Sequence, residues 1–206
     1  LKEQIDRHTF PVIIKPSAGA MSRGVEKAIS REELIKKSKN ISAIKYLSFN
    51  IKEHLRKYKH KGYIKESNHR NKFIVQNSIE GLKNDWKVLV YGNKCFVLKR
   101  SIKEGDFRAS GSGFSYKFDI NAEFPDSILD YSLNIKNVLN VPMISLDIAY
   151  KKDKFHLIEF QALNFGTTVF SKSKYYFIKE NNKWISVGNN FQLEELFAMS
   201  IVNFIK

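Results

Sequence analysis

The sequence predicts an α+β fold with antiparallel sheets, and three features carry that prediction. Trp86 to Tyr91 and Lys94 to Lys99 are apolar, strand-forming runs on either side of Gly92-Asn93, a two-residue hairpin turn. Met143 to Tyr150 and Phe155 to Gln161 form a second hairpin around Lys152-Asp153-Lys154. Apolar residues at helical spacing in Asp126 to Asn140 and in Leu193 to Ile205 place helices between and after the hairpins.

In chain order, Phe10 to Lys15 opens as a strand, with Pro11 at its start and Val12-Ile13-Ile14 behind it. A loop of small residues follows, Pro16 to Gly24. Ser30-Arg31-Glu32-Glu33 is a capping box, with Ser30 as N-cap and Glu33 at the third helical position. Leu34 and Ile35 begin that helix's apolar face. Leu47 to Tyr58 has helical spacing, Lys57 to Arg70 is basic and polar and predicts a loop, and Phe73 to Gln76 is a short strand. In the first hairpin, Tyr91 opposite Lys94 sets Lys87 opposite Leu98 and Asp85 opposite Arg100. Residues two apart share a face, so Asp85, Lys87 and Arg100 converge on one surface. Gly105, Gly111 and Gly113 mark a loop before the next helix.

Composition narrows the class. The chain has 206 residues, 43% of them hydrophobic, enough to bury a core in one compact unit or two small lobes. No apolar run reaches the ~18 to 20 residues of a membrane span, and Leu1 to His8 is too charged for a signal peptide. The net charge of +14 favours anionic partners such as nucleotide phosphates, an acidic peptide or nucleic acid. Much of the lysine falls in scattered pairs, Lys36-Lys37 and Lys151-Lys152, that read as solvated faces. Cys95, the one cysteine, lies in Cys95-Phe96-Val97-Leu98 and is expected to be a small buried hydrophobe in a chain suited to a reducing cytoplasm. The five histidines have no metal-ligand spacing.

The second hairpin carries the chemistry. Lys151 opposite Phe155 across a three-residue loop puts Asp147 directly opposite Glu159, with Gln161 on the face of Glu159. Ile144, Leu146 and Ile148, with Ile158 and Phe160, take the opposite faces. Two opposed carboxylates repel, and a hard divalent cation offsets that repulsion. Mg²⁺, or Mn²⁺ in its place, is the expected occupant of Asp147, Glu159 and Gln161; the alternative is that both acids are exposed or salt-bridged to lysine. Ser17 to Gly24, behind Lys15, offers small residues whose backbone N–H groups can approach phosphate oxygens, without the Gly-Lys-Ser/Thr of a Walker A loop. Arg100 and Arg108 suit bidentate capture of phosphate or carboxylate. A basic nucleic-acid-binding module is the competing interpretation of the charge, but it leaves the Asp147 and Glu159 register unexplained.

These residues resemble the ATP-grasp superfamily, and within it the carboxylate–amine ligases that add glutamate to protein tails. Phe10-Pro11-Val12-Ile13-Ile14-Lys15-Pro16 with Ser22-Arg23-Gly24-Val25 is similar to the family's strand and phosphate loop. Lys87-Val88-Leu89-Val90, Lys99-Arg100 and Glu104-Gly105-Asp106-Phe107-Arg108-Ala109-Ser110 resemble the ligase segment. Leu146-Asp147-Ile148 and Ile158-Glu159-Phe160-Gln161 resemble the metal hairpin.

The resemblance, from about Phe10 to Gly166, implies two α+β lobes gripping ATP, 1–75 with the phosphate loop and 76–206 with the metal hairpin. The family's N-terminal substrate domain is expected to be absent before Leu1. Lys15 would hold the α and β phosphates, and Ser17, Ala18, Gly19, Ser22 and Gly24 would fold over the β and γ phosphates. Gln76, Asn77, Ser78 and Ile79 would meet the adenine edge, with Glu80 or Asp85 near the ribose. Asp147, Glu159 and Gln161 would bind Mg²⁺, while Arg100, Arg108 and Lys87 would serve the transferring phosphoryl group and the acceptor. The implied reaction joins a carboxylate, small or peptide-borne, to an amine through an acyl phosphate. An ATP-grasp kinase and a non-catalytic domain are the neighbouring alternatives. The sequence departs from the family pattern at Lys87, where Arg is usual, at Gln161 and Ser110, where Asn is usual, and at Asn77, where Glu is commoner.

Overall fold

The structure is a computed structural model that describes residues 8–18, 22–44, 47–64, 67–108, 115–125, 127–162 and 164–206. The chain divides into two compact units, Leu1–Glu80 and Gly81–Lys206.

Unit 1 is built on a three-stranded antiparallel sheet of order β2-β1-β3, from β1 (Val12–Pro16), β2 (Glu26–Ala28) and β3 (Phe73–Asn77). Helix α1 (Arg31–Ser42) lies against it, and Val12, Ile14, Ala28 and Leu34 form its buried centre. The helix starts where its capping box predicts. Ser30 Oγ accepts from the Glu33 N–H at 3.3 Å, and the Glu33 carboxylate accepts from the Ile29 N–H at 3.2 Å. Helix α2 (Leu47–Lys59) follows and buries Glu53, which accepts hydrogen bonds from Arg56 and from the Tyr63 hydroxyl. β2 was not expected, because Glu-Lys-Ala has little strand propensity. It forms by pairing with β1, Val12 opposite Ala28 and Ile14 opposite Glu26.

Unit 2 holds a seven-stranded antiparallel sheet. Its strands are β4 (Asn84–Tyr91), β5 (Lys94–Ser101), β6 (Tyr116–Phe118), β7 (Met143–Lys151), β8 (Lys154–Gln161), β9 (Tyr175–Glu180) and β10 (Lys183–Gly188). The order is β10-β9-β5-β4-β7-β8, with β6 added on β5. Helices α3 (Ser127–Val138), α4 (Thr168–Lys172) and α5 (Leu193–Ile205) complete the unit. Alternation along the strands makes two unlike faces. One carries Val88, Val90, Val97, Ile144, Leu146 and Ile148, packed with Ile128 and Leu129 of α3. The other carries Leu89, Tyr91, Phe96 and Met143, covered by Val169 and Phe170 of α4 and Leu196 of α5. Cys95 is fully buried, as its apolar run predicts.

Two expectations change. The β9–β10 hairpin was missed, although Asn181 and Asn182, both at left-handed φ (47° and 63°), form the kind of two-residue turn that matches strand twist. The β7–β8 loop has two residues, not three, with Lys151 opposite Lys154 and with Lys152 and Asp153 at positive φ. A bulge then restores the pairing. Between Ile148–Leu157 and Asp147–Glu159, β8 carries one extra residue, Ile158, so Asp147 still faces Glu159. Phe160 pairs with Leu146 but is 48% exposed, since β8 is the sheet's edge.

Candidate functional site

The face of β4, β5 and β7 that is apolar at one end becomes charged at the other. Asp85 and Lys87 follow Leu89 along β4 at two-residue steps, and each meets a partner set by register: Asp85 opposite Arg100 on β5, Lys87 opposite Asp147 on β7. Arg100 donates to both Asp85 oxygens, from Nε at 2.7 Å and from a terminal nitrogen at 2.6 Å. The same terminal nitrogen lies 3.0 Å from Asp147 Oδ2, and Lys87 Nζ donates to Asp147 Oδ1 at 3.1 Å. The result is a line of alternating charges, Asp85, Arg100, Asp147 and Lys87, that sums to zero.

Burial makes this line consequential. Asp85 and Arg100 are each 4% exposed. Burial raises the Asp85 carboxyl pKa, with the Arg100 hydrogen bonds pulling the other way. Burial alone would disfavour the Arg100 charge, but the hydrogen bonds it donates to Asp85 and the charge of Asp147 more than offset this and hold the guanidinium protonated above its ordinary range. Asp85, which with Glu80 was one of two residues expected near a ribose, clamps Arg100. The sequence placed these two on one face but gave no sign that β4 and β7 are neighbours, and so missed the Lys87–Asp147 contact.

Glu159 faces Asp147 from β8 and is exposed, and Gln161 donates from Nε2 to Glu159 Oε1 at 3.2 Å. Among the described residues no three His, Cys, Asp or Glu side chains gather at metal-binding spacing. The candidate donors are two carboxylates and one amide. They fit a hard divalent cation, because each Asp147 oxygen has a second lone pair beyond the one taken by Lys87 or Arg100. Arg108 is exposed and is held locally. Its guanidinium reaches both Asp106 oxygens at 3.1 Å, and these bonds depress the Asp106 carboxyl pKa to about 2. Ala109 and Ser110 lie outside the described residues.

In unit 1, Lys15 is half-buried on β1, opposite Ile74. Ser17 and Ala18 are exposed just beyond the strand, where the Ser17 N–H donates to the Lys72 carbonyl. Gly19 lies outside the described residues. Ser22 and Gly24 take left-handed φ of 56° and 73°, and a Cβ on Gly24 would come 3.0 Å from the Pro16 ring, so both conformation and space favour glycine at 24. Gln76 and Asn77 end β3. The Ser78 N–H donates to the Pro11 carbonyl, and Ile79 is half-buried beside it.

No family model matches the chain. No curated protein matches it either. Among solved structures it is similar to the VanG D-Ala:D-Ser ligase from Enterococcus faecalis, with a TM-score of 0.54 and 18% identity, over 98% of this chain and 52% of that one. Weaker similarity, at TM-score 0.48 and 10% identity, extends over 98% of this chain and 50% of the macrocyclase MdnC from Microcystis aeruginosa, solved with its precursor peptide MdnA. A D-alanine–D-alanine ligase from Bacillus anthracis complexed with ATP gives a TM-score of 0.46 and 16% identity, over 78% of this chain and 44% of that one. The chain thus spans about half the length of these proteins. At such identities the likeness is one of fold, and it agrees with the α+β architecture of antiparallel sheets: the chain has the ATP-grasp fold.

Proposed function

We propose that this chain is the ATP-using part of a carboxylate–amine ligase, with the charged end of the unit 2 sheet as its centre of chemistry. The observation that carries the proposal is the opposition of Asp147 and Glu159 on β7 and β8, with Lys87 and Arg100 gathered on Asp147. Lys87 and Arg100 already offset the charge of Asp147, so the exposed Glu159 opposite it adds a negative charge beyond the balanced line, and with Asp147 and Gln161 it offers the oxygens that suit a hard cation. Asp147, Glu159 and Gln161 would hold Mg²⁺, which supplies charge neutralisation on the phosphates of ATP.

The chain's own residues do the rest. Arg100 is committed to two carboxylates and acts as a positioning residue, fixing Asp147. Lys87, 17% exposed at its side chain against 5% for Arg100, balances Asp147 and is the more accessible charge for a phosphoryl oxygen. Arg108 is exposed and suits the acceptor carboxylate. In unit 1, Lys15 would bind the α and β phosphates, Ser17, Ala18, Gly19, Ser22 and Gly24 the β and γ phosphates, and the Gln76–Ile79 backbone the adenine. The acceptor carboxylate attacks the γ-phosphorus and ADP leaves. An amine then attacks the resulting acyl phosphate, and phosphate leaves as the amide forms. Positioning and charge neutralisation are what such a transfer needs most. The net charge of +14 favours an acidic acceptor.

Hydroxylamine traps acyl phosphates as hydroxamates. With ATP, Mg²⁺ and a panel of glutamate-rich peptides and amino acids, hydroxamate should form in step with ADP. Glu159→Gln should cut the rate by roughly 10²-fold, the usual scale for losing one electrostatic contributor to a transition state. ATP consumption without hydroxamate from any carboxylate would count against the ligase.

A further inference from the structure

Helix α2 of unit 1 is oriented the wrong way round for an ordinary surface helix, which turns its apolar stripe to the core. At ~100° per residue, Ile51, Leu55 and Tyr58 share one stripe and Glu53 lies on the opposite side. The side turned inward is that of Glu53, which is 1% exposed, with Arg56 and the Tyr63 hydroxyl donating to its two oxygens. Ile51, Leu55 and Tyr58 face outward and are 52 to 79% exposed. Ile64, just past the helix, is exposed as well. One exposed leucine needs no explanation, but an aligned apolar run does.

Charge narrows what can cover that run. Residues 47–64 contain a single acid, Glu53, against Lys52, Arg56, Lys57, Lys59 and Lys61. With the acid inside, the outward surface carries no negative side chain. Lys52 and Lys59 lie about a quarter-turn from the apolar stripe, both exposed, and form no ion pair among the described residues. Arg56 sits further round, where it reaches Glu53. A second copy of this face would set lysine against lysine. Nucleic acid would take the lysines and leave Ile51, Leu55 and Tyr58 in water. An anionic bilayer takes both, because acyl chains meet the apolar stripe while headgroup phosphates and carboxylates meet the ammonium groups. The stripe is a convex ridge, pointing away from the side that holds Glu53. A plane of lipid can meet such a ridge along its whole length, whereas a peptide would find only one wall. Tyrosine, with an apolar ring and a polar tip, and long-stemmed lysines are also the residue types that settle at a membrane interface.

We propose that α2 is a docking face for an anionic phospholipid surface, lying in the interface plane with Ile51, Leu55 and Tyr58 toward the acyl chains and Lys52 and Lys59 at headgroup depth. This contact is peripheral, and it does not depend on the ligase reading of unit 2.

The test is flotation of the whole chain with phosphatidylcholine vesicles, with and without about one-third phosphatidylserine. The chain should float with the anionic vesicles and stay behind with the neutral ones. Ile51→Gln with Leu55→Gln should weaken binding roughly tenfold, by removing the apolar anchor. Lys52→Gln with Lys59→Gln should weaken it roughly 25-fold, about fivefold for each lysine. All four positions are exposed, so an unchanged unfolding midpoint should accompany each variant. No flotation at about 1 mM anionic lipid, a level that would reveal even a weak interfacial helix, overturns the proposal, including the case in which an acidic apolar peptide binds this face instead. So does full binding by the folded Ile51→Gln, Leu55→Gln variant, which would assign the attraction to the net charge of +14 alone.

Discussion

Arg100 shows at the scale of one residue how the charged end is held. It sits among carboxylates with almost no solvent, so its removal leaves Asp85 ionised and unpaired in the interior. Arg100→Ala should therefore cost about 3 to 5 kcal/mol in urea unfolding, the range for breaking one side of a buried pair. A loss below about 1 kcal/mol, the exposed-pair range, would mean that Asp85 is neutral or well hydrated. Asp106 gives a pH test of the opposite, exposed kind. Arg108 hydrogen bonds lower its carboxyl pKa from 3.8 to about 2, so the pairing contributes fully above pH 3.8, weakens as pH falls below it, and is gone below about 2. A carboxyl-carbon NMR titration of Asp106 with its midpoint near 4 would disprove the pairing. The sequence showed Asp85, Lys87 and Arg100 on one face because hairpin geometry is local. It could not show that Arg100 is locked rather than free, because that depends on β7 lying beside β4.

At the scale of elements, what was legible followed from short-range chemistry. The Gly92-Asn93 turn fixes the whole β4–β5 register, residue for residue. The Ser30 cap fixes where α1 begins, and Ser30→Ala should destabilise unit 1 by ~1 kcal/mol in thermal or urea unfolding, since one first-turn N–H loses its acceptor. No measurable change would mean that Glu33 and its bond to Ile29 suffice alone. The β7–β8 hairpin was harder. Its turn is one residue tighter than expected, and only the extra residue at Ile158 keeps Asp147 opposite Glu159. Bulges answer to sheet twist and edge position, which no window of sequence displays. β2 and β6 are short strands that exist only by pairing with β1 and β5, and they were invisible for the same reason.

At the scale of the molecule, each unit has its own sheet and core, and the candidate residues fall into both: Lys15, the loop through Gly24 and Gln76–Ile79 in unit 1, the charged line and the metal donors in unit 2. The fold class was legible because strand pairs and helices alternate with clear turns between them. Substrate identity was not, since one fold serves many reactions and the acceptor's contacts leave no local pattern. The central claim is that Asp147, Glu159 and Gln161 hold a metal–nucleotide complex. Its most direct test is thermal unfolding with a non-hydrolysable ATP analogue, with and without Mg²⁺, on the wild type and on Glu159→Gln. A ligand bound only by the folded chain must raise the midpoint. The account predicts a Mg²⁺-dependent rise in the wild type that Glu159→Gln loses. An equal rise in both proteins, or a rise indifferent to Mg²⁺, would contradict it.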